Sequence, residues 1–188
     1  EDILLKTVTA NSYAAIRDTS YTDTLLNTTA QAYNYKVEFF VNTTLLLGAT
    51  DKASSVFLSL VPSDKKLRLT WDYNVPWVND SFVVFRQNKQ TLAFDSIATV
   101  ITNEYIDSGL SNDSTYCYKI KAIGRYTTNG LKQPLINFSQ EACGNPKDTM
   151  PPCAPLLKVE NACTNTSLPK GELKNYLSWS IPTDCKDS

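Results

Sequence analysis

The 188-residue sequence contains no histidine, only 6 glycines and no long apolar run. Without an imidazole, hydrolase mechanisms that use a histidine base are excluded, and no GxSxG, GxGxxG, HExxH or P-loop motif occurs. No run approaches the ~20 apolar residues that span a bilayer, and no secretory signal opens the sequence. We therefore expect no membrane insertion, and a mature product or an excised piece of a longer chain.

The sequence also lacks a large net charge and the residue clusters that bind metals or cofactors. A net charge of -1 without a basic cluster argues against nucleic acid and anionic lipid as partners. Paired carboxylates remain conceivable, but Asp107 and Asp113 flank one predicted turn, where aspartates normally cap backbone amides. The absence of histidine and of a CxxC pair argues against zinc. We expect no enzymatic activity, no cofactor and no metal.

The residues that are abundant favour strands. The chain has 10 Tyr, 7 Phe and 3 Trp, and aromatic and β-branched residues are enriched in β-sheets. The stretch 116–122 alternates strictly: Tyr118, Ile120 and Ala122 share one parity with Tyr116, while a cysteine and two lysines share the other. Successive side chains of a strand point to opposite faces, so we expect Cys117 on the solvated face, where a thiol calls for a partner.

An internal repeat organises the chain. Residues 19–40 match residues 103–123 with a one-residue gap, so that Tyr35 falls on Tyr118 and Asp23 on Asp107. A second match, between 67–76 and 175–184, aligns Trp71 with Trp179. Each unit thus has a "hydrophobic-x-Trp" strand early and a "Tyr-x-Tyr-Lys-hydrophobic" strand late.

Seven short strands are predicted between residues 56 and 143, a pattern typical of a two-sheet sandwich. With Trp71 on the second strand, and Leu110 followed six residues later by Tyr116, this unit resembles a fibronectin type III domain with its tyrosine corner. We expect an all-β protein of tandem fibronectin type III-like antiparallel β-sandwiches, the terminal ones incomplete. The domains are 1–61, lacking strands A and B; 62–147, complete; and 148–188, a proline-rich hinge and the first two strands of a third domain.

The amino-acid sequence of the repeats shows a further resemblance. Stretches such as VPWVND, GLSNDSTYCYKIKAIG and LSWSIPTDC are similar to repeats of large Bacteroidota cell-surface proteins associated with gliding motility. The resemblance implies an exported, type IX-secreted parent, located at the cell surface or outside the cell. Its partners would be a protein or glycan ligand and the neighbouring repeats of the same protein.

The five cysteines fit disulfides and an oxidising compartment. Cys117 and Cys143 lie on neighbouring antiparallel strands, and pairing them sets Lys119 opposite Glu141 and Lys121 opposite Ser139. We predict this pair as a surface disulfide. A second pair, Cys153 with Cys185, follows from an antiparallel pairing of the last two strands and leaves Cys163 over.

Two loops at one end of the middle repeat form the candidate binding tip. Trp77, Arg125 and Tyr126 are residue types that dominate recognition surfaces, although aromatic side chains also brace loops. Thr149, in the sequence Asp-Thr-Met of the hinge, resembles the O-glycosylation motif of exported Bacteroidota proteins. We expect a non-catalytic spacer or adhesion scaffold related to gliding motility or surface attachment. The alternatives are spacer modules of a secreted carbohydrate-active enzyme and a direct glycan- or protein-binding module.

Overall fold

The protein is described here by a computed structural model over residues 2–24, 26–148, 153–161 and 175–183. Its regular structure is strand, apart from a short 3-10 turn at Tyr13–Ala15. The strands are β1 (Asn34–Tyr35), β2 (Glu38–Val41), β3 (Leu45–Ala49), β4 (Ala53–Ser54), β5 (Phe57–Ser63), β6 (Lys66–Asp72), β7 (Val78–Gln87), β8 (Phe94–Val100), β9 (Glu104–Ser108), β10 (Tyr116–Arg125), β11 (Leu135–Phe138), β12 (Ala142–Gly144), β13 (Leu156–Asn161) and β14 (Asn175–Ser180). The all-β prediction is confirmed for this part of the chain.

The strands form five sheets. The largest has the order β11-β10-β7-β8, with β12 also paired to β10, and a three-stranded sheet has the order β5-β6-β9. The pairs β1-β4, β2-β3 and β13-β14 are two-stranded and antiparallel. The pairings of β10 with β7 and β11, and of β7 with β8, are antiparallel as well.

Strand β10 shows the burial that its alternating sequence predicts. Tyr118, Ile120 and Ala122 are fully buried, while Cys117 and Lys119 on the other parity are partly exposed. The same alternation in β6 buries its leucines and Trp71. Because each buried aliphatic or aromatic side chain contributes on the order of 1.5–3 kcal/mol, this alternation fixes which face of each strand points inward.

The chain divides into two compact units, each built from three separate stretches. The first comprises 1–59, 70–104 and 117–142. In it Trp71 of β6 packs on Phe82 of β7, with ring centroids 5.3 Å apart and planes tilted by 59°. Tyr73 extends this aromatic cluster at 5.4 Å from Phe82.

The second unit comprises 60–69, 105–116 and 143–188. Its turn before β10 is fixed by the Tyr116 hydroxyl, which accepts a hydrogen bond from the Ser111 N–H at 3.0 Å. Leu110 is only 6% exposed, and its N–H donates to the carbonyl of Lys65 at 2.9 Å. The Asp113 N–H donates to the carbonyl of Pro146, also at 2.9 Å. This turn is therefore held both by a side chain and by backbone pairing.

The strand predicted between residues 136 and 143 is interrupted. It forms β11 and β12, with Ser139 between them in an isolated parallel bridge to Val56. The observed register places Lys121 opposite Phe138, so the predicted pairing of Lys121 with Ser139 is wrong. A shift by one residue turns every side chain to the other face, and Ser139, expected on the solvated face, is 6% exposed.

The predicted disulfide between Cys117 and Cys143 is confirmed. The register error concerns β11, whereas Cys143 lies in β12, which pairs with β10 as a separate strand. Cys153 is also disulfide-bonded. Cys163 and Cys185 lie outside the described residues, so the pairing of Cys153 with Cys185 stays a prediction.

Candidate functional site

The candidate binding tip lies where β7 begins and β10 ends. In the antiparallel register Arg125 is opposite Val78 and Gly124 opposite Asn79, with an irregularity between Ile123 and Gly124. This pairing brings the loop before β7 beside the loop after β10. Trp77 and Tyr126, each one residue beyond its strand, consequently meet there.

The two aromatic rings of the tip brace each other. Trp77 and Tyr126 stand edge to face, with centroids 5.9 Å apart and planes at 68°, and both side chains are half-buried. The indole N–H of Trp77 donates to Asn79 Oδ1 at 3.1 Å. The Asn79 amide nitrogen is itself buried and has no hydrogen-bond partner among the described residues.

Gly124 allows the indole to lie close to the strand. A Cβ added at this position would be 2.4 Å from the carbonyl oxygen of Val78 and 2.9 Å from Cδ1 of Trp77. Real Cβ atoms essentially never approach so closely. The Trp77 ring therefore packs directly on the backbone of β10, and only glycine at position 124 leaves room for the ring.

The third predicted residue of the tip is engaged in an ion pair. Arg125 Nε lies 3.3 Å from Oδ1 and 3.2 Å from Oδ2 of Asp80, and both side chains are exposed. An exposed pair of this kind contributes about 0–1 kcal/mol. The structure therefore brings together Trp77 and Tyr126, and places Arg125 beside them with its Nε already paired.

A second arrangement, which we call the Ser54 junction, connects the predicted first and middle repeats. It consists of Asn34, Ser54, Asn74 and Asn137. The Ser54 N–H donates to the Asn74 carbonyl at 2.7 Å, and the Asn74 N–H donates to Ser54 Oγ at 2.9 Å. The amide group of Asn74 donates to Asn34 Oδ1 at 3.2 Å, and that of Asn137 to the Ser54 carbonyl at 2.8 Å.

The Ser54 junction is more ordered than a flexible linker would be. Ser54 is 7% exposed, so its backbone groups need partners, and a buried group left unpaired costs about 1–3 kcal/mol. The sequence itself favours a stiff connection here, because no proline- or glycine-rich linker separates the two repeats. It did not identify Asn74 or Asn137, because an asparagine side chain carries no signal of its partner.

Metal binding finds little support among the described residues. One group of three potential ligands occurs there, formed by Cys117, Glu141 and Cys143. Both of its sulfur atoms belong to the disulfide, and the thiolate is the form that binds metal. The predicted glycosylation site Thr149 lies outside the described residues.

The described part of the chain contains no helix of the length and apolarity that crossing a bilayer requires.

Comparisons with known proteins identify no family. No family model and no curated protein matches the chain. Among solved structures it is similar to pectate lyase PelI from Erwinia chrysanthemi in complex with tetragalacturonic acid, at 14% identity and a TM-score of 0.37, over 47% of this chain and 27% of that one. It is also similar to pectate lyase Pel3 from Pectobacterium carotovorum, at 19% identity and a TM-score of 0.38, over 54% and 30%. The chain spans less than a third of either lyase, and similarity at this level carries no functional inference.

Proposed function

We propose that the chain is a non-catalytic repeat segment of an exported cell-surface protein, in which fibronectin type III-like domains hold and space binding sites for a protein or glycan ligand. The Ser54 junction carries this proposal. A spacer must transmit orientation from one domain to the next, and four hydrogen bonds around a buried serine restrict that orientation. Interfaces that lack such contacts leave domains free to move.

Two features of the middle repeat support its assignment to the fibronectin type III class. Trp71 is fully buried against Phe82, at the position that the resemblance assigns to the core tryptophan. The bond from the Ser111 N–H to the Tyr116 hydroxyl has the form of a tyrosine corner, in which a tyrosine binds backbone a few residues upstream. Such domains serve as structural modules in many extracellular proteins.

Export to the cell surface is supported by the disulfide between Cys117 and Cys143. Disulfides persist in oxidising compartments and are rare in the cytosol. The resemblance to Bacteroidota surface repeats adds gliding motility or attachment as the context, and type IX secretion as the route. In this setting the partners are the neighbouring repeats and a ligand at the surface.

NMR relaxation of backbone amides tests whether the Ser54 junction holds the first and middle repeats together. We expect the amides of β1 and β4 to tumble with the same correlation time as those of β7 and β10. Asn74→Ala should shorten the correlation time of β1 and β4 alone, because it removes the amide bond to Asn34. Asn129→Ala, in an exposed loop, is the matched control and should change nothing. Independent tumbling in the unmodified chain would overturn the spacer proposal.

The tip supports a second candidate function, direct ligand binding. Trp77 and Tyr126 are half-exposed neighbours, and adjacent aromatic rings suit stacking on sugars or insertion into a partner surface. A glycan array probed with the whole chain separates the two candidates. Binding that is lost in Trp77→Ala and Tyr126→Ala but kept in Tyr73→Ala would favour the binding module, and an array without signals would favour the spacer.

A further inference from the structure

Three side chains with metal-binding atoms lie together where β12 pairs with β10. The sulfur atoms of Cys117 and Cys143 and a carboxylate oxygen of Glu141 all lie within 4.8 Å of one another. The disulfide uses both sulfur atoms, and a cysteine binds metal as the thiolate. Reduction of the disulfide therefore changes what this cluster offers, from one free carboxylate donor to two sulfur donors and a carboxylate.

The cluster is open to solvent. Glu141 and Cys143 are exposed, and Cys117 is partly exposed. Buried structural cysteines are inert, whereas exposed disulfides are the ones that exchange readily with other thiols. Both a reductant and a metal ion can consequently reach the sulfur atoms.

Contacts that do not involve sulfur hold both strands in place. Before β12, the Gln140 side chain bonds to the N–H and the carbonyl of Leu58, at 3.0 and 2.7 Å. After β12, the carbonyl of the fully buried Pro146 accepts from the Asp113 N–H at 2.9 Å. In β10, Tyr118 is 0% exposed. The three donors therefore stay together when the S–S bond is broken.

We propose that the reduced chain binds one Zn²⁺ at this cluster, through the thiolates of Cys117 and Cys143 and the carboxylate of Glu141. Tetrahedral zinc takes sulfur and carboxylate ligands at roughly 2.0–2.3 Å, which sets neighbouring donor atoms about 3.3–3.8 Å apart. Donor atoms that already lie within 4.8 Å of one another reach this separation by rotation of their side chains. Three protein ligands leave the fourth position for water. A metal site of this kind goes beyond the spacer function proposed above.

The site couples a redox step to metal binding. A dithiol reductant breaks the S–S bond: it supplies two electrons and two protons, forms its own S–S bond, and leaves both cysteines as thiols. Zn²⁺ then displaces these two protons to solvent as it binds the thiolates. Exchange with an oxidised dithiol reverses both steps and releases the ion. The chain thus holds zinc in one redox state only.

Cobalt binding by the whole chain tests the site, because Co²⁺ accepts the ligands of zinc and absorbs light when thiolates bind it. Cys153→Ser, Cys163→Ser and Cys185→Ser together remove the other thiols. This triple variant, reduced by a phosphine under argon, should show a thiolate-to-cobalt charge-transfer band that saturates at one ion per chain. Added Zn²⁺ should abolish the band, and the oxidised variant should show none.

Ligand variants in the same background identify the donors. Cys143→Ser should abolish the band. Glu141→Gln should weaken zinc binding at least about tenfold, the lower end of what even outer-shell partners contribute. Glu104→Gln, exposed and outside the cluster, is the matched control and should change neither.

Hydrogen exchange of the Tyr118 amide shows whether the metal is bound by the folded chain. This amide should stay protected in the reduced, zinc-loaded triple variant. A reduced chain that binds no cobalt would overturn the inference, whether that chain is folded or unfolded. So would binding that survives Cys143→Ser, binding that Glu141→Gln leaves unchanged, or a zinc-loaded chain whose Tyr118 amide exchanges as in an unfolded peptide.

Discussion

Gly124 sets the geometry of the tip at the scale of a single residue. Its Cα leaves no room for a side chain, since the Val78 carbonyl, the Asn79 amide oxygen and the Trp77 ring all lie within 3 Å of where a Cβ would stand. The Val78 carbonyl, the closest of the three, is a backbone group and cannot swing away. A methyl group there must displace the first residue of β7 or the indole.

Gly124→Ala is therefore expected to lower the free energy of unfolding by about 1–3 kcal/mol, the range for overpacked sites. The indole of Trp77 should become more exposed, which shifts its fluorescence to longer wavelength. Gly48→Ala is the control, because nothing lies within 4 Å of its added Cβ. Urea unfolding of both variants measures the difference, and equal stabilities would contradict the close approach seen at Gly124.

At the scale of the element, side chains compensate for the interruption between β11 and β12. Gln140 replaces the missing strand pairing with its own side chain: its Nε2 donates to the Leu58 carbonyl at 2.7 Å, and its Oε1 accepts from the Leu58 N–H at 3.0 Å. Ser139 Oγ accepts from the Ile120 N–H at 2.8 Å. Two side chains thus satisfy backbone groups that a regular ladder would have paired.

Gln140→Ala should cost about 1–3 kcal/mol, because it leaves the buried N–H and carbonyl of Leu58 unpaired. The change should be local first, and appear as faster hydrogen exchange of the Leu58 amide. Gln90→Ala, at an exposed turn position, gives the effect of losing a glutamine without a buried partner. If both variants protect Leu58 equally, then the glutamine does not serve as the partner.

The first repeat carries a small charge network with a defined pH response. Asp2 Oδ2 lies 2.7 Å from the ammonium of Lys36 and Oδ1 3.3 Å from that of Lys52. Hydrogen bonds from Lys36 and then Lys52 hold the pKa of Asp2 below its ordinary value of 3.8. The hydrogen bonds of Lys36 to Asp2 and Glu38 raise its own pKa above 10.5.

These directions fix the pH window. A lowered carboxyl pKa contributes stability that is present above pH 3.8 and lost as the pH falls through the lowered value. A raised ammonium pKa contributes stability that is present below pH 10.5 and lost as the pH rises through the raised value. An NMR titration should show the Asp2 carboxyl carbon titrating below 3.8, together with amide shifts in β1 and β2. Asp2→Asn should remove the acid transition, and a midpoint above 3.8 would contradict the network.

At the scale of the whole molecule, two equivalent tryptophans differ in burial. Trp71 and Trp179 occupy the same position of the repeat, but Trp71 is 0% and Trp179 72% exposed. Trp71→Ala should cost about 3–5 kcal/mol through lost burial and a cavity, a large share of the roughly 5–15 kcal/mol that a typical domain has. Trp179→Ala should change the free energy of unfolding by less than about 0.5 kcal/mol. Thermal unfolding compares the two variants, and similar losses would show that Trp179 is buried in solution.

The sequence by itself determined the all-β class, the alternation of β10 and the disulfide between Cys117 and Cys143. The first two follow from the alternation of apolar and polar residues along strands. The disulfide follows from the prediction that its two strands are neighbours. The sequence placed Trp77 and Tyr126 in one tip but did not predict that their rings contact each other, because a loop sequence does not say whether its aromatic residues pack or protrude.

Only the tertiary structure decided the register of β11, the role of Gln140 and the partners of Ser54. The β11 sequence alternates, but alternation does not say which parity faces inward. The choice depended on whether Asn137 could reach the Ser54 carbonyl and Ser139 the Ile120 N–H, 83 and 19 residues away in sequence. Such hydrogen bonds join groups that are close only after folding, and an amide or hydroxyl side chain gives no local sign of the backbone group that it will satisfy.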